Sequence, residues 1–268
     1  MRFQLVLATQ GRFAFFTTTE RLRATVHLLA RVVGLRLLLF GVVDEHGHLV
    51  VEADDRAAAG HLGSAVQRAL AGLGVELGPT FVEEVADAAH LGTLIGYMAR
   101  QPLKHPIAAD PAAWEGTCLA DLVGARLGVL EPGALAAMLP RVDVPATALG
   151  ALGLRGPLCP AAPADAAALW TAVGATFAAY GAAKSDPVRR AAAAYAAVGR
   201  GAGLTPGDLR AAAGWSESAW QRAKDLCSPP EDVHAVGMQL ALRKLLAENP
   251  AGGRRVPATT PQPILRFR

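Results

Sequence analysis

Cysteine is scarce in this chain, and no apolar run is long. Its 268 residues hold three cysteines, Cys118, Cys159 and Cys227. They are widely spaced and odd in number, which excludes a disulfide framework and a zinc knuckle; a reducing, cytoplasmic setting is expected. Hydrophobic residues make up 52% of the chain, but much of that is alanine, and the stretch LLARVVGLRLLLFGVV is broken by two arginines. A membrane span needs about 20 apolar residues in a row, so no transmembrane helix and no membrane partner are expected. The start, MRFQLVLATQGR, lacks the apolar core and small-residue cleavage site of a signal peptide. The length suits one large domain or two small ones.

The charge is unevenly placed. Residues 1–128 hold 11 Lys/Arg against 13 Asp/Glu, and residues 129–268 hold 15 against 10. Arg254, Arg255, Arg266 and Arg268 all fall in the last fifteen residues. A basic tail of this kind suits a polyanion.

The front half reads as alternating strands and helices. RFQLVLAT alternates as a strand, and TTTERLRATVHLLARVVG is a threonine-capped helix closed by Gly34. LRLLLFGVV and GHLVVEA flank the turn composition DEHG and pair as a hairpin. DRAAAGHLGSAVQRALAGLG is a second helix, TFVEEV a short strand, and DAAHLGTLIGYMARQ a third helix. The order β-α-β-β-α-β-α predicts an α+β fold, a ferredoxin-like or RNA-recognition-like antiparallel sheet with helices on one face. Beyond residue 128 strands become scarce. Residues 129–163 read as a Pro/Ala-rich linker with short helices, 164–249 as an all-α domain, and 250–268 as a basic flexible tail.

Within this frame, four residues carry chemistry. His46 and His48 stand one residue apart where the second hairpin strand begins, so their side chains share a face. Tyr97 and Gln101 are four apart on the third helix and also share a face. Singly, each has a plain reading: a surface turn, a core-edge aromatic, and a glutamine that ends its helix before Pro102. Together they form a set. Two neutral imidazoles and an amide oxygen can hold Mg²⁺ or Mn²⁺ with positions left open for a phosphate. A phenol oxygen beside that phosphate is a nucleophile. Asp44 and Glu45, ahead of the histidines, are within reach of a metal there, with a solvated turn the preferred reading. His27, His61, His90, His105 and His234 have no partner spacing and read as structural.

LFGVVDEHGHLVVEAD resembles the histidine-pair strand of HUH single-strand nucleases. HLGTLIGYMARQPLKHPIAADPAAW resembles the tyrosine helix of the single-tyrosine transposases, including the repeat-associated ones, and the likeness spans roughly residues 1–125. It implies His46, His48 and Gln101 as metal ligands and Tyr97 as nucleophile. It also implies a homodimer, Mg or Mn as cofactor, and metal-dependent cutting and rejoining of single-stranded or hairpin DNA. Two features differ from the family. Gly47 stands between the histidines in place of a bulky apolar residue, and the interval from His48 to Tyr97 is short. Two alternatives therefore stay open: a catalytically inactive, domesticated DNA-binding protein, and an interaction protein whose helical half or tail binds a protein partner.

GLTPGDLRAAAGWSESAWQRAKDL reads as two helices about a turn at Gly214, the second capped by Ser216. This is helix-turn-helix patterning, with Trp215 in the turn and Leu209 and Ala219 facing inward. Glu217, Ser218, Gln221, Arg222 and Lys224 then lie on or near the exposed side of the second helix, where Gln and Arg can read base edges in a major groove. With Arg254 and Arg255 in the tail they form the expected DNA-binding set. An ordinary helical hairpin is the competing reading, and Arg210 departs from the small residue such motifs favour.

Overall fold

A computed structural model describes residues 1–12, 14–105, 114–130, 132–178 and 187–249. The first half builds a four-stranded sheet from β1 (Arg2–Ala8), β2 (Leu37–Val42), β3 (His46–Glu52) and β4 (Phe81–Glu84). Helix α1 (Thr19–Val33) joins β1 to β2, α2 (Arg56–Ala71) joins β3 to β4, and α3 (Ala88–Lys104) follows β4. The strand order is β2-β3-β1-β4 and every pairing is antiparallel. Each β-α-β unit is therefore split by a strand of the other unit. The order of elements is the one expected from hydrophobic periodicity.

Local chemistry explains the helix boundaries. Thr18, Asp55 and Asp87 cap α1, α2 and α3 by accepting hydrogen bonds from the backbone N–H groups of Arg21, Ala58 and His90, donors that a helix start leaves unpaired. Gly34 ends α1 at φ 62°, a conformation costly for a residue with a Cβ. Pro102 does not stop α3 at Gln101. The helix runs on to Lys104, and the His105 N–H donates to the Gln101 carbonyl at 3.2 Å.

The helices are not gathered on one face. α1 and α2 pack against each other and the sheet, whereas α3 packs on β2 and on α6 (Val144–Ala151). All of β2 is buried, and β3 is buried except Glu52, so both faces of these strands are covered. A third helix C-terminal to the split units has no strand to rejoin, and its apolar side settles on the bare face. The outer edge of β2 is closed by residues 114–118. Val42 and Cys118 N–H groups donate to the Gly116 and Phe40 carbonyls, and the Trp114 indole donates to the Val42 carbonyl at 3.0 Å. The opposite edge, β4, is short and carries Glu83 and Glu84, features that discourage edge pairing.

Two ion pairs, one partly and one fully buried, fasten the 114–126 segment. Arg23 of α1 grips Glu115 through two hydrogen bonds of 2.6 Å. Arg126, 5% exposed, pairs with buried Asp121 of α4 (Leu119–Leu122) and donates to the Glu115 and Thr117 carbonyls. Burial pushes the Asp121 carboxyl above its ordinary range and the Cys118 thiol up to about 12, so this thiol is an inert core group.

Helix α5 (Pro132–Met138), the Leu139 that follows it, and α6 place Leu135, Leu139, Val144 and Leu149 in the same core as the sheet. A second core lies among α7 (Ala166–Thr176), α8 (Pro187–Gly201), α9 (Pro206–Ala213), α10 (Glu217–Lys224) and α11 (Pro230–Glu248). At its centre Tyr195 contacts Trp170 and Trp215 edge to face, and its hydroxyl donates to the Leu209 carbonyl at 2.9 Å. α11 serves both cores: Val236 and Leu240 belong to the second, Met238 and Leu242 to the first. Arg190 of α8 ties α11 down through Asp232, which is fully buried.

Candidate metal and tyrosine site

His46 and His48 open β3, both more than nine-tenths buried, with ring centroids 5.0 Å apart. In register, His48 lies opposite Gly41 of β2 and Val6 of β1, and directly opposed residues point to one side of an antiparallel sheet. That side is the one α3 covers. The Tyr97 Oη lies 3.0 Å from His48 Nε2, with ring centroids 5.0 Å apart.

Gln101 comes to the same place by a close approach of helix to strand. A Cβ at Gly41 would stand 3.0 Å from Met98 Sδ and 3.5 Å from Gln101 Cγ. Glycine at 41 is therefore what lets α3 lie close over β2, with Gln101 beside the strand position paired to His48. Gly41→Val is expected to lift α3 and destabilise the chain by about 1–3 kcal/mol through overpacking, measured by denaturant unfolding against the native sequence. Gln101 is 1% exposed, and among the described residues neither atom of its amide has a hydrogen-bond partner. Leaving a buried amide unsatisfied costs about 1–3 kcal/mol, and a bound cation would recover that cost for the oxygen.

The donor types fit a divalent cation. Among the described residues no group of three or more His, Cys, Asp or Glu side chains is placed to hold a metal ion. A cation on this face would therefore need the Gln101 oxygen beside the two imidazoles, a mixed nitrogen and oxygen set that a divalent cation can accept. Gly47, which differs from the family pattern, points to the other face by strand alternation, where a Cβ would meet Val42 Cγ2 at 3.5 Å. The absence of a side chain there does not alter the histidine face.

Two residues at the site, Gln4 and His105, were not singled out as members from the sequence. Gln4 of β1, 8% exposed, places its amide nitrogen 3.2 Å from His48 Nδ1. His105 packs edge to face on His46 at 5.3 Å between centroids, and its Nδ1 lies 3.2 Å from Asp44 Oδ1. His105 thus has partners where spacing offered none, although it continues the Tyr97, Gln101 series at four-residue steps. The 44–45 turn is pinned rather than merely solvated. Phe15 and Phe16 N–H groups donate to the Asp44 carbonyl, and the Thr9 N–H and hydroxyl donate to that of Glu45. His27 bonds at 3.1 Å to the Ala178 carbonyl.

The α9–α10 pair has the expected shape. Gly214 closes α9 in the left-handed conformation at φ 64°, and Ser216 caps α10. Leu209, Trp215, Trp220 and Ala223 are buried, and Ala219 is half-buried. Glu217, Ser218, Gln221 and Arg222 are exposed and Lys224 is half-buried. Arg210 has a role here: it pairs with Glu217, which also accepts from the Gln221 amide at 2.6 Å. Arg254, Arg255 and the rest of the tail expected to be flexible lie outside the described residues.

No family model matches the sequence, and no curated protein matches it. A solved structure of a REP-associated tyrosine transposase bound to a REP hairpin is similar to this chain at 15% identity, over 44% of this chain and 75% of that one, with a TM-score of 0.34. No helix among the described residues is long and apolar enough to cross a membrane.

Proposed function

We propose that this protein is a single-strand DNA transesterase of the HUH, single-tyrosine type, on a ferredoxin-like sheet, with Tyr97 as nucleophile. His46, His48 and Gln101 would hold Mg²⁺ or Mn²⁺. The observation that carries the reading is the meeting of Tyr97 Oη and His48 Nε2 at 3.0 Å beside a buried Gln101 amide that has no hydrogen-bond partner among the described residues.

When bound, the cation supplies positive charge that polarises a phosphodiester. Tyr97 attacks phosphorus through Oη and gives up its proton. The Oη–P bond forms and the P–O3′ bond breaks. The leaving 3′-oxygen takes a proton, so one strand end becomes a free 3′-hydroxyl and the other a 5′-phosphotyrosine. Attack of a 3′-hydroxyl on that phosphotyrosine reverses the exchange and rejoins DNA. One phosphodiester is exchanged for another, so no external energy source is required. His48 contacts the phenol directly and holds Tyr97 beside the metal-binding face; the phenol proton leaves to solvent.

In this reading the helical half is a DNA-recognition element, with α10 as the reading helix. Affinity for DNA is expected to fall steeply between low and high salt, because phosphate contacts release counterions. Deleting residues 251–268 should weaken binding evenly across sequences. Gln221→Ala with Arg222→Ala should relax sequence preference instead. Binding measured by fluorescence anisotropy on two unrelated oligonucleotides separates the two effects. Salt-independent binding would favour a protein-partner role for this half.

A further inference from the structure

Resting on the metal-site reading above, we infer that Gln4 governs which nitrogen of His48 is open to the cation. β1 runs beside β3, with Val6 opposite His48. Gln4, two residues before Val6, shares its face. The His48 ring is held at both nitrogens: Gln4 Nε2 is 3.2 Å from Nδ1, and Tyr97 Oη is 3.0 Å from Nε2.

A neutral imidazole carries one N–H, and its other nitrogen only accepts. An amide NH₂ only donates. With the Gln4 nitrogen toward Nδ1, Nδ1 must accept and the His48 proton sits on Nε2, directed at the Tyr97 oxygen. In that form Nε2 has no lone pair for a metal. Half a turn of the Gln4 amide brings its oxygen to Nδ1. The proton then moves to Nδ1, and the Nε2 lone pair faces the site. The amide has the same footprint in both orientations, so Gln4 can serve a closed form, in which His48 donates to the phenol, and a metal-ready form. A metal-bound histidine commonly donates its second N–H to an oxygen in this way. Gln4 is a positioning residue: it acts on the cation through His48.

The test compares the native chain with Gln4→Met, which has the same length but no amide, and Gln4→Glu, which presents only oxygens. Mn²⁺ affinity is read by titration calorimetry. The His48 tautomer is read in the metal-free proteins by ¹⁵N imidazole NMR. Gln4→Met is expected to weaken Mn²⁺ binding by about 10-fold or more. Gln4→Glu should match or exceed the native affinity, with the His48 proton on Nδ1. Unfolding temperatures identify any variant that fails to fold, and Gln4→Glu reports the tautomer independently of Gln4→Met. Equal affinity in all three proteins, or a His48 proton on Nε2 in Gln4→Glu, would overturn the role of Gln4 alone. A native chain that takes up no Mn²⁺ would remove the metal-site reading, and this inference with it.

Discussion

Tyr97→Phe is expected to bind single-stranded DNA as the native chain does and to form no covalent adduct with it. The change removes one oxygen and almost no volume from a half-buried ring on α3, so the fold and the His46–His48–Gln101 face should persist. The native protein with Mn²⁺ should leave a protein–DNA species that survives denaturing electrophoresis. The variant should leave none, and neither should the native chain without a divalent cation. Tyr195→Phe is the matched control. The Tyr195 hydroxyl is committed to the Leu209 carbonyl in the helical core, where burial raises its phenol above the ordinary range. That variant should still form the adduct. Tyr180, the remaining tyrosine, lies outside the described residues. Should the native chain and Tyr97→Phe both bind and neither form an adduct with any divalent ion, the alternative of a DNA-binding protein without cleavage would replace catalysis.

Arg126→Met should cost the fold about 3–5 kcal/mol, the usual penalty for stranding one member of a buried ion pair. The guanidinium is the partner that keeps the Asp121 carboxylate tolerable in an apolar setting, since both side chains are about 2% exposed. It also bonds the Glu115 and Thr117 carbonyls, at 2.9 and 2.5 Å, and so fixes the segment that closes the β2 edge. Removing Asp121 as well, in Arg126→Met with Asp121→Leu, should recover much of the loss, because no charge is then left buried alone. Denaturant unfolding of the native chain, both single variants and the double variant measures the coupling. A loss below about 1 kcal/mol in Arg126→Met would mean that the pair is hydrated and the edge closed by other contacts.

Much of the front half was readable because its sequence periods are clean. Alternation over Arg2–Ala8 and three- and four-residue apolar spacing over Thr19–Val33 leave little choice of element. The histidine pair and the Tyr97–Gln101 pair were readable for the same reason, since each depends only on spacing within one element. What joins them does not. Gln4 looks like an outward polar residue in an alternating strand, and its burial follows only once α3 covers that face. His105 and Asp44 are brought together by a hairpin turn meeting a helix end, a contact between elements that no local pattern encodes. Gly41 reads as a weak point in a strand until the Met98 sulfur and the Gln101 stem are seen to need its missing side chain. The placing of the three helices is not legible in the sequence for a related reason. Amphipathic period says that a helix has an apolar side, not which face of a sheet will receive it.

The most direct measurement is the anomalous difference map of a crystal of the whole protein grown or soaked with Mn²⁺. A peak is expected on the covered face of β3, about 2 to 2.5 Å from one nitrogen each of His46 and His48 and from the Gln101 amide oxygen. The Tyr97 hydroxyl should stand beside the remaining open positions. A saturating Mn²⁺ soak that leaves this face empty, or a peak bound without Gln101, would contradict the metal-site reading.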